Sequence, residues 1–332
     1  MAKLADALDL GSSALRHGGS SPFTRTTLRV TKDLFFFFTL TLLLQKQWWI
    51  LWTHLQPPVI QLTKIIKLSK KIMDENCKNL LEEFKTISKK RWIKGINNFT
   101  NSAGLTFETL LDKKADSLYF PDYQGIEIKC TQRFSRYPIT LFSSAFDGPS
   151  LYEMNEILNK YGKSDFIYKD KKQLNATLNC NKKVLVNNKY YFKLEISDEE
   201  QKLYLSVYDI MNNLIEKSSF INFETLKNRL ELKLSTLALV FASKKTIDNC
   251  PYFRYYKIIF YKFISFEKFI ELLKQDIIIV DIVGRVSRSG IEAGRQRNKN
   301  LVFQINKENV TKLFKVIKIY DNDLEDSYFQ II

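Results

Sequence analysis

The amino-acid sequence predicts an α/β fold with a mixed central sheet flanked by helices. The chain has 332 residues, of which 45% are hydrophobic, which is enough to bury one substantial core or two modest ones. Apolar residues at helical spacing, as at Leu80, Leu81, Phe84 and Ile87, predict an amphipathic helix. Strict alternation in GIEIKCT (125–131) predicts a strand. We interpret these patterns as parts of one α/β domain.

Residues 1–72 differ in character from the rest of the chain. The segment MAKLADALDLGSSALRHGGSSPFTRT has no persistent periodicity and is similar to a translated transfer-RNA gene, and LFFFFTLTLLL is similar to a translated thymidine-rich tract. We interpret residues 1–72 as non-native sequence upstream of a natural start at Met73. The alternative is a membrane anchor at residues 34–44, but a spanning helix needs about 20 apolar residues. Residues 45–47 (QKQ) interrupt that run, so we expect no membrane partner.

The remaining elements follow from local patterns along residues 73–332, which we predict to form the functional domain. Up to the first strands we predict a helix from Met73 through Ile87, a loop at 91–104, a helix at 105–114 offering Leu105, Leu110 and Leu111 to a core, a turn at 120–122, a strand at 125–131 and a partner strand at 138–142. Beyond these we predict a hairpin region at 183–196 and 202–208, strands at 234–243 and 255–264, a helix at 265–275 capped by Ser265, a strand at 277–286, a glycine- and arginine-rich loop at 287–300 and a strand at 301–305. The acidic segment after Tyr320 is predicted to be peripheral.

The charge of the chain favours a polyanionic partner. Lys and Arg number 51 against 36 Asp and Glu, which gives a formal net charge of +15. Without residues 1–72 the chain keeps 41 basic and 33 acidic residues, so it stays basic. Nucleic acid is the first candidate partner and an anionic membrane surface the second. Charge alone is equally compatible with a basic protein that binds neither.

Cysteine and histidine usage excludes several kinds of site. The four cysteines (Cys77, Cys130, Cys180 and Cys250) are far apart with no CxxC pair, so we expect neither a zinc knuckle nor a disulfide framework, and a reducing cytoplasm fits best. Both histidines lie within residues 1–72. If that segment is dispensable, mechanisms that need a histidine base or ligand are excluded.

One short stretch carries a candidate active site. Side chains alternate along a strand, so Ile126 and Ile128 face a core while Glu127 and Lys129 share the other face, with Cα atoms roughly 7 Å apart. Asp122 precedes a turn in which Gly125 lets the chain bend back. Phosphodiester hydrolysis uses Mg²⁺ bound by carboxylates, here Asp122 and Glu127, and an ammonium, here Lys129, to position the attacking water. Taken alone the D-x4-E-x-K pattern is weak, since a solvated strand face with an ion pair has the same sequence.

The surrounding residues strengthen this interpretation. KRWIKGINNFTNSAGLTFETLL, FPDYQGIEIK and YPITLF together resemble the MvaI/BcnI restriction endonucleases, relatives of the MutH mismatch-repair nickase, and the similarity spans about residues 90–306. The resemblance implies a PD-(D/E)XK restriction-endonuclease-like fold that cuts double-stranded DNA with Mg²⁺, or Mn²⁺ as a substitute. It also implies a monomer that cuts one strand at a time, with a companion DNA methyltransferase.

The resemblance also assigns residues. It places Asp122, Glu127 and Lys129 in the core catalytic positions and Glu108, on the preceding helix, in that of an accessory acidic residue; a helix-surface carboxylate is the alternative for Glu108. The family often carries a histidine in a glycine-rich run before the last strand. This sequence has SRSGIEAGRQRNKNLVFQI there, without histidine, so the DNA sequence it would recognise stays open.

Several basic residues are candidates for holding DNA, because Arg and Lys contact both phosphates and base edges. They are Arg133 and Arg136 after the catalytic strand, and Arg285, Arg288, Arg295, Arg297 and Lys299 in or beside the glycine-rich loop. Three other functions stay open at this point: a mismatch-repair nicking enzyme, a catalytically inactive DNA-binding protein, and a membrane-attached protein. A neighbouring methyltransferase gene would favour restriction over repair.

Overall fold

A computed structural model describes residues 59–112, 120–288 and 290–323, with side chains from residue 68 onward and without that of Lys299. Residues Ser69–Ile332 form one compact unit, which is considered below. The predictions made for residues 1–58, for 113–114 and for the tail beyond residue 323 lie outside the described residues. Within the described residues, no helix is long and apolar enough to cross a membrane.

Two helices open the described chain. Helix α1 spans Val59–Lys89, so it begins well before the predicted Met73, and its predicted stripe at Leu80, Leu81, Phe84 and Ile87 is buried as expected. A short strand, β1 (Ile93–Lys94), and helix α2 (Ser102–Leu110) follow. Helix α2 starts within the predicted loop, and its fully buried residues are Ser102, Ala103, Thr106 and Phe107. The predicted Leu110 and Leu111 are half-buried and pack against the same core, as expected.

A mixed sheet carries the candidate active site. It comprises β2 (Glu127–Gln132), β11 (Thr236–Ile247), β12 (Cys250–Phe263) and β15 (Phe314–Asp321), together with β1. Strands β2 and β11 run parallel, whereas β12 pairs antiparallel with β11, β1 and β15. Helices α1 and α2 cover one face, where Phe84 and Phe107 pack with Ile126, Ile128 and Tyr255. The predicted mixed sheet is therefore present.

A second, antiparallel sheet has the order β3-β14-β13-β5-β4. Its strands are β3 (Ile139–Ser144), β4 (Lys163–Ser164), β5 (Lys172–Leu178), β13 (Ile278–Val286) and β14 (Gln296–Ile305). The prediction that 138–142 pairs with the catalytic strand is wrong: β3 pairs with β14, where Phe142 stacks on Phe303 at 4.7 Å between ring centroids. Strand β14 also begins inside the predicted glycine-rich loop, which shortens that loop.

A third sheet confirms the predicted hairpin region. It comprises β6 (Val184–Val186), β7 (Tyr190–Ser197), β8 (Lys202–Tyr208), β9 (Leu214–Glu216) and β10 (Phe220–Asn222). Within the described residues the strands thus form three five-stranded sheets and not one central sheet.

The other helices are α3 (Glu153–Tyr161), α4 (Phe223–Leu234), α5 (Phe266–Lys274) and α6 (Val310–Leu313). Helix α5 has the predicted cap, since the backbone N–H of Lys268 donates to Ser265 Oγ at 3.1 Å. Helix α4 leads directly into β11 and was not anticipated from the sequence. Its buried residues, Phe223, Leu226, Leu230 and Leu234, belong to the larger of two hydrophobic clusters.

Candidate active site

Strand β2, which carries Glu127 and Lys129, follows a tight turn. The backbone N–H of Tyr123 donates to Ile126 O at 2.9 Å, and that of Ile126 donates to Tyr123 O at 2.7 Å. Gln124 and Gly125 both have positive φ, at 43° and 87°, as a two-residue hairpin turn of this hand requires. The turn folds the chain back so that Asp122 Oδ2 accepts from the Ile128 backbone N–H at 3.0 Å. The structure therefore brings Asp122 beside the start of β2, as the glycine suggested.

Glu127 and Lys129 lie together on the face of β2 opposite Ile126 and Ile128. The ammonium of Lys129 donates to Glu127 Oε1. Glu127 itself is fully buried, which differs from a solvated strand face. Burying a carboxylate costs free energy unless it is paired. The ion pair with Lys129 therefore offsets part of the cost of burying Glu127.

A second ammonium reaches the same oxygen, and sequence reasoning missed it. Lys233, in the last turn of α4, has its Nζ 3.5 Å from Glu127 Oε1, and its side chain is only 25% exposed. The parallel pairing of β11 with β2 places Leu237 opposite Glu127 and so brings the end of α4 to the site. No local pattern around Lys233 could have indicated this, because the contact depends on which strands pair.

The electrostatics of Glu127 favour a cation. Burial raises the pKa of its carboxyl, and the nearby Asp122 carboxylate adds to this, while Lys129 and Lys233 act in the opposite direction. Oxygen Oε2 is buried without a hydrogen-bond donor among the described residues. Carboxylate oxygens are the protein ligands that Mg²⁺ prefers. Asp122 and the orphaned Oε2 of Glu127 therefore fit a hard divalent ion.

The protein supplies few ligands to such an ion. Among the described residues there is no group of three or more His, Cys, Asp or Glu side chains placed to hold a metal. Mg²⁺ commonly binds through one or two carboxylates, with water and substrate phosphate completing its shell. A site of two carboxylates is therefore compatible with Mg²⁺ and unsuited to a closed structural metal centre.

Glu108 is not brought into this group. A Cβ on Gly104 would lie 3.6 Å from Cys130 Cβ and 3.9 Å from Glu108 Oε1, so the carboxylate of Glu108 is close to Cys130. Burial first, and then the charge of Glu108, raises the pKa of the Cys130 thiol to about 12. Cys130 shares the face of β2 with Ile128. Glu108 therefore lies across the strand from Glu127 and Lys129.

Arg133 and Arg136 follow β2 at the end of the strand away from Glu127. Six residues along a strand span about 20 Å, so Arg133 is remote from Glu127. Its guanidinium lies over the Tyr256 ring at 5.0 Å from the centroid and pairs with Asp323 at 3.0 Å. Arg136 is exposed.

The acidic segment after Tyr320 is in contact with this cationic end of the sheet, so the prediction that it is peripheral is wrong for its described part. Asp323 pairs with Arg254 as well as with Arg133, and Asp321 pairs with Lys257 at 2.8 Å. The physical reason is that β15 adds to the edge of β12, the strand that carries both Arg254 and Lys257.

The hairpin of β13 and β14, which we call the arginine hairpin (residues 285–297), groups several predicted DNA contacts. Arg285 and Arg297 are direct cross-strand neighbours, and both border a cavity of about 390 Å³ that Arg295 also lines. Arg295 pairs with Glu292 at 2.8 Å. Arg288 instead makes a two-pronged ion pair with Asp165. The side chain of Lys299 lies outside the described residues.

Comparison with known proteins gives one consistent family. The profile of the MvaI/BcnI restriction endonuclease family matches residues 81–314, which is more than half of the chain. A solved structure of restriction endonuclease MvaI in complex with its cognate DNA substrate is 28% identical, with a TM-score of 0.68, over 73% of this chain and 97% of that one. A structure of MvaI in the absence of DNA is 24% identical, with a TM-score of 0.47, over 74% and 97%. No curated protein sequence matched the chain.

Proposed function

Because the chain belongs to the MvaI/BcnI restriction endonuclease family, we propose that it is a Mg²⁺-dependent, site-specific deoxyribonuclease that hydrolyses phosphodiester bonds of double-stranded DNA. Family membership implies DNA cleavage. The proposal adds to this the Mg²⁺ ion, a short recognition site and the residues that act in cleavage. The observation that carries them is that Asp122 and Lys129 lie beside Glu127, whose Oε2 is buried without a hydrogen-bond donor among the described residues.

We assign roles to the residues from their positions. Asp122 and Glu127 Oε2 would hold the ion, which would supply activation of an attacking water and neutralisation of the charge that develops on the phosphate. Lys129 is held by Glu127 Oε1, so its remaining donors are fixed in direction and can orient a water against the phosphorus. Lys233 adds a second positive charge at the same oxygen and attracts the phosphate group into the site.

The arginine hairpin supports the choice of DNA as substrate. Like charges directly opposite each other on paired strands are destabilising, and Arg285 and Arg297 are such a pair. A polyanion between them removes that repulsion and gains two charge-assisted contacts. We assign phosphate or base contacts to Arg285, Arg295 and Arg297, and phosphate contacts to Arg133, Arg136 and Lys299. For Arg288, the ion pair with Asp165 favours a role in holding the hairpin.

Plasmid digestion tests the proposal. Protein is incubated with plasmids of known sequence in Mg²⁺, Mn²⁺, Ca²⁺ or chelator, and the fragment ends are sequenced. We expect discrete ends at one short sequence with Mg²⁺ or Mn²⁺, and none with Ca²⁺ or chelator, because the looser coordination of Ca²⁺ does not align the attack. Cleavage in chelator would contradict the metal assignment, and random ends would contradict site specificity.

Salt dependence tests the DNA interface separately. Binding to the site identified above is measured in Ca²⁺ at increasing salt, where the affinity should fall steeply because cationic side chains release counterions. Arg295→Ala combined with Arg297→Ala should flatten this dependence. Lys268→Ala, on α5 and paired with Glu271, is the matched control and should leave it unchanged. Unchanged binding in the double variant would remove the hairpin from the interface.

The same proposal includes the biological setting. The enzyme acts as a monomer on DNA, and a companion methyltransferase protects the host's own sites from cleavage. Purified protein should therefore cut a plasmid grown without that methyltransferase and leave one grown with it intact. Equal cleavage of both plasmids would contradict the restriction role without contradicting the nuclease chemistry.

A further inference from the structure

We propose that residues 165–171, which we call the aromatic loop, form a second DNA-contacting element in which Phe166 and Ile167 pack against a base step of the duplex. The loop is the tip of the hairpin formed by β4 and β5. This inference rests on the proposed function and adds an apolar contact to a surface otherwise described by its arginines.

The aromatic loop is held in one conformation by a buried charge. The carboxylate of Asp165 is fully buried, and its Oδ1 accepts from the backbone N–H groups of Ile167 and Tyr168, each at 2.9 Å. The ends of the loop are joined by a backbone hydrogen bond from Asp165 N–H to Lys171 O at 2.8 Å. A tip fixed in this way loses little conformational freedom when it binds.

The same carboxylate ties the loop to the arginine hairpin. Arg288 donates through Nη1 to Asp165 Oδ1 and through Nη2 to Oδ2, both at 2.5 Å. The hydrogen bonds from Arg288 hold the pKa of Asp165 at about 2, so the pair stays charged at every working pH. Gly294 has a φ of 83°, and a Cβ there would come within 3.0 Å of the Tyr168 ring. The hairpin and the loop therefore form one packed unit.

This unit presents apolar side chains to solvent. Phe166 is 78% exposed and Ile167 is 58% exposed. A single exposed apolar residue is ordinary on a protein surface. Here two neighbouring apolar residues are exposed, on a loop whose conformation is fixed by an ion pair and two backbone hydrogen bonds. The arrangement stabilises the position of the tip and leaves its apolar surface for a ligand.

The charges around the tip indicate which ligand. Lys169 Nζ lies 5.2 Å from the centre of the Phe166 ring, and Arg285 and Arg297 stand on the hairpin to which the loop is tied. The acidic neighbours Asp170 and Glu292 are each paired with a basic residue, at 3.1 Å and 2.8 Å. Proteins that bend DNA insert apolar wedges between base steps while basic residues hold the phosphates, and aromatic rings stack on bases. An apolar tip rimmed by cations fits duplex DNA in this way.

Substitutions of Phe166 distinguish the proposed apolar contact with DNA from the contacts made by the arginines. Phe166→Ala and Phe166→Trp are compared with Met211→Ala, which removes an 81% exposed side chain from the turn between β8 and β9. Affinity for a duplex carrying the cleavage site is measured in Ca²⁺ by fluorescence anisotropy. We expect Phe166→Ala to lose about tenfold or more, and Phe166→Trp and Met211→Ala to bind within about threefold of the parent.

A 2-aminopurine placed at successive positions of the duplex reports unstacking. The parent protein should raise its fluorescence at one step, and Phe166→Ala should not, whereas loss of a phosphate contact would leave that signal intact. Equal affinity of Phe166→Ala and the parent, or no unstacking by the parent, overturns the inference while leaving the proposed nuclease function in place. A parent protein that neither binds nor cuts duplex DNA overturns both.

Discussion

The ammonium of Lys233 lies 3.5 Å from Oε1 of Glu127. In the sequence, all five strands of the third sheet, β6 to β10, lie between these two residues. Lys129 donates to the same oxygen. Two cations therefore share Oε1, while Oε2 is buried without a donor among the described residues. The carboxylate is thus oriented before any metal binds, with one oxygen committed to the protein and the other available.

The first prediction concerns the three core residues. Asp122→Asn, Glu127→Gln and Lys129→Met should each lower the cleavage rate by about 10²–10⁴-fold, because each removes a ligand or the group that orients the water. Calorimetric Mn²⁺ titration should show weaker binding for the first two and retained binding for the third. Glu108→Gln, on the opposite face of β2, is the matched control and should keep its Mn²⁺ affinity. Full cleavage by any of the three would contradict the assignment.

The second prediction concerns Lys233. Lys233→Met should raise Mn²⁺ affinity about tenfold at pH 8, because a like charge close to the metal is removed from a poorly solvated site. It should also lower the cleavage rate, since the phosphate loses an attracting cation. Lys227→Met, on the exposed side of the same helix and paired with Glu231 at 3.9 Å, serves as the control. Identical metal affinity in both variants would show that Lys233 has no electrostatic role.

The third prediction is a pH dependence of stability without metal. Burial raises the pKa of Glu127 in the folded state, so this group's contribution to stability is fully present below the ordinary value of 4.5 and is lost as pH rises through the raised value. Glu127→Gln should therefore gain stability relative to the parent as pH rises from 4.5, by up to about 1.4 kcal/mol per pH unit within that window. Urea unfolding from pH 4.5 to 8 measures this. A difference that is constant with pH would refute it.

The fourth prediction concerns the side-chain carboxylate of Asp323, at the far end of the sheet. Asp323 occupies Arg133 and Arg254 and so competes with a phosphate for them. Asp323→Asn should raise DNA affinity at low salt and steepen the salt dependence by about one unit for each arginine released. Asp321→Asn, whose partner is Lys257, is the control. If neither the affinity nor the slope changes, neither arginine contacts DNA.

Local patterns were sufficient for much of the fold. The stripe of α1, the cap at Ser265 and the positive-φ turn at Gly125 depend on neighbours within a few residues, and the structure has all three. Alternation along β2 correctly separated Ile126 and Ile128 from Glu127 and Lys129. These features could be predicted because each depends only on residues that are close together in the sequence.

Pairing between distant segments could not be predicted in the same way. Strand β3 follows β2 closely in the chain yet pairs with β14, and the ring of Phe142 stacks on that of Phe303 there. The approach of Lys233 to Glu127, the contact of Asp323 with Arg133 and the separation of Glu108 from the site all depend on which strands become neighbours. Alternation fixes the face that a side chain takes, and it leaves the partner strand undetermined.

The parallel pairing of β2 with β11 also has a consequence for how the protein is made. Contacts between segments so distant in sequence close a long loop, which slows folding and delays these contacts until late in the process. Since synthesis runs from the N-terminus, Asp122, Glu127 and Lys129 leave the ribosome long before Lys233 and the strand that pairs with β2. We therefore expect chains that do not yet extend past β11 to lack a formed candidate active site, so that the cell's own DNA meets this site only after about three quarters of the chain has been made.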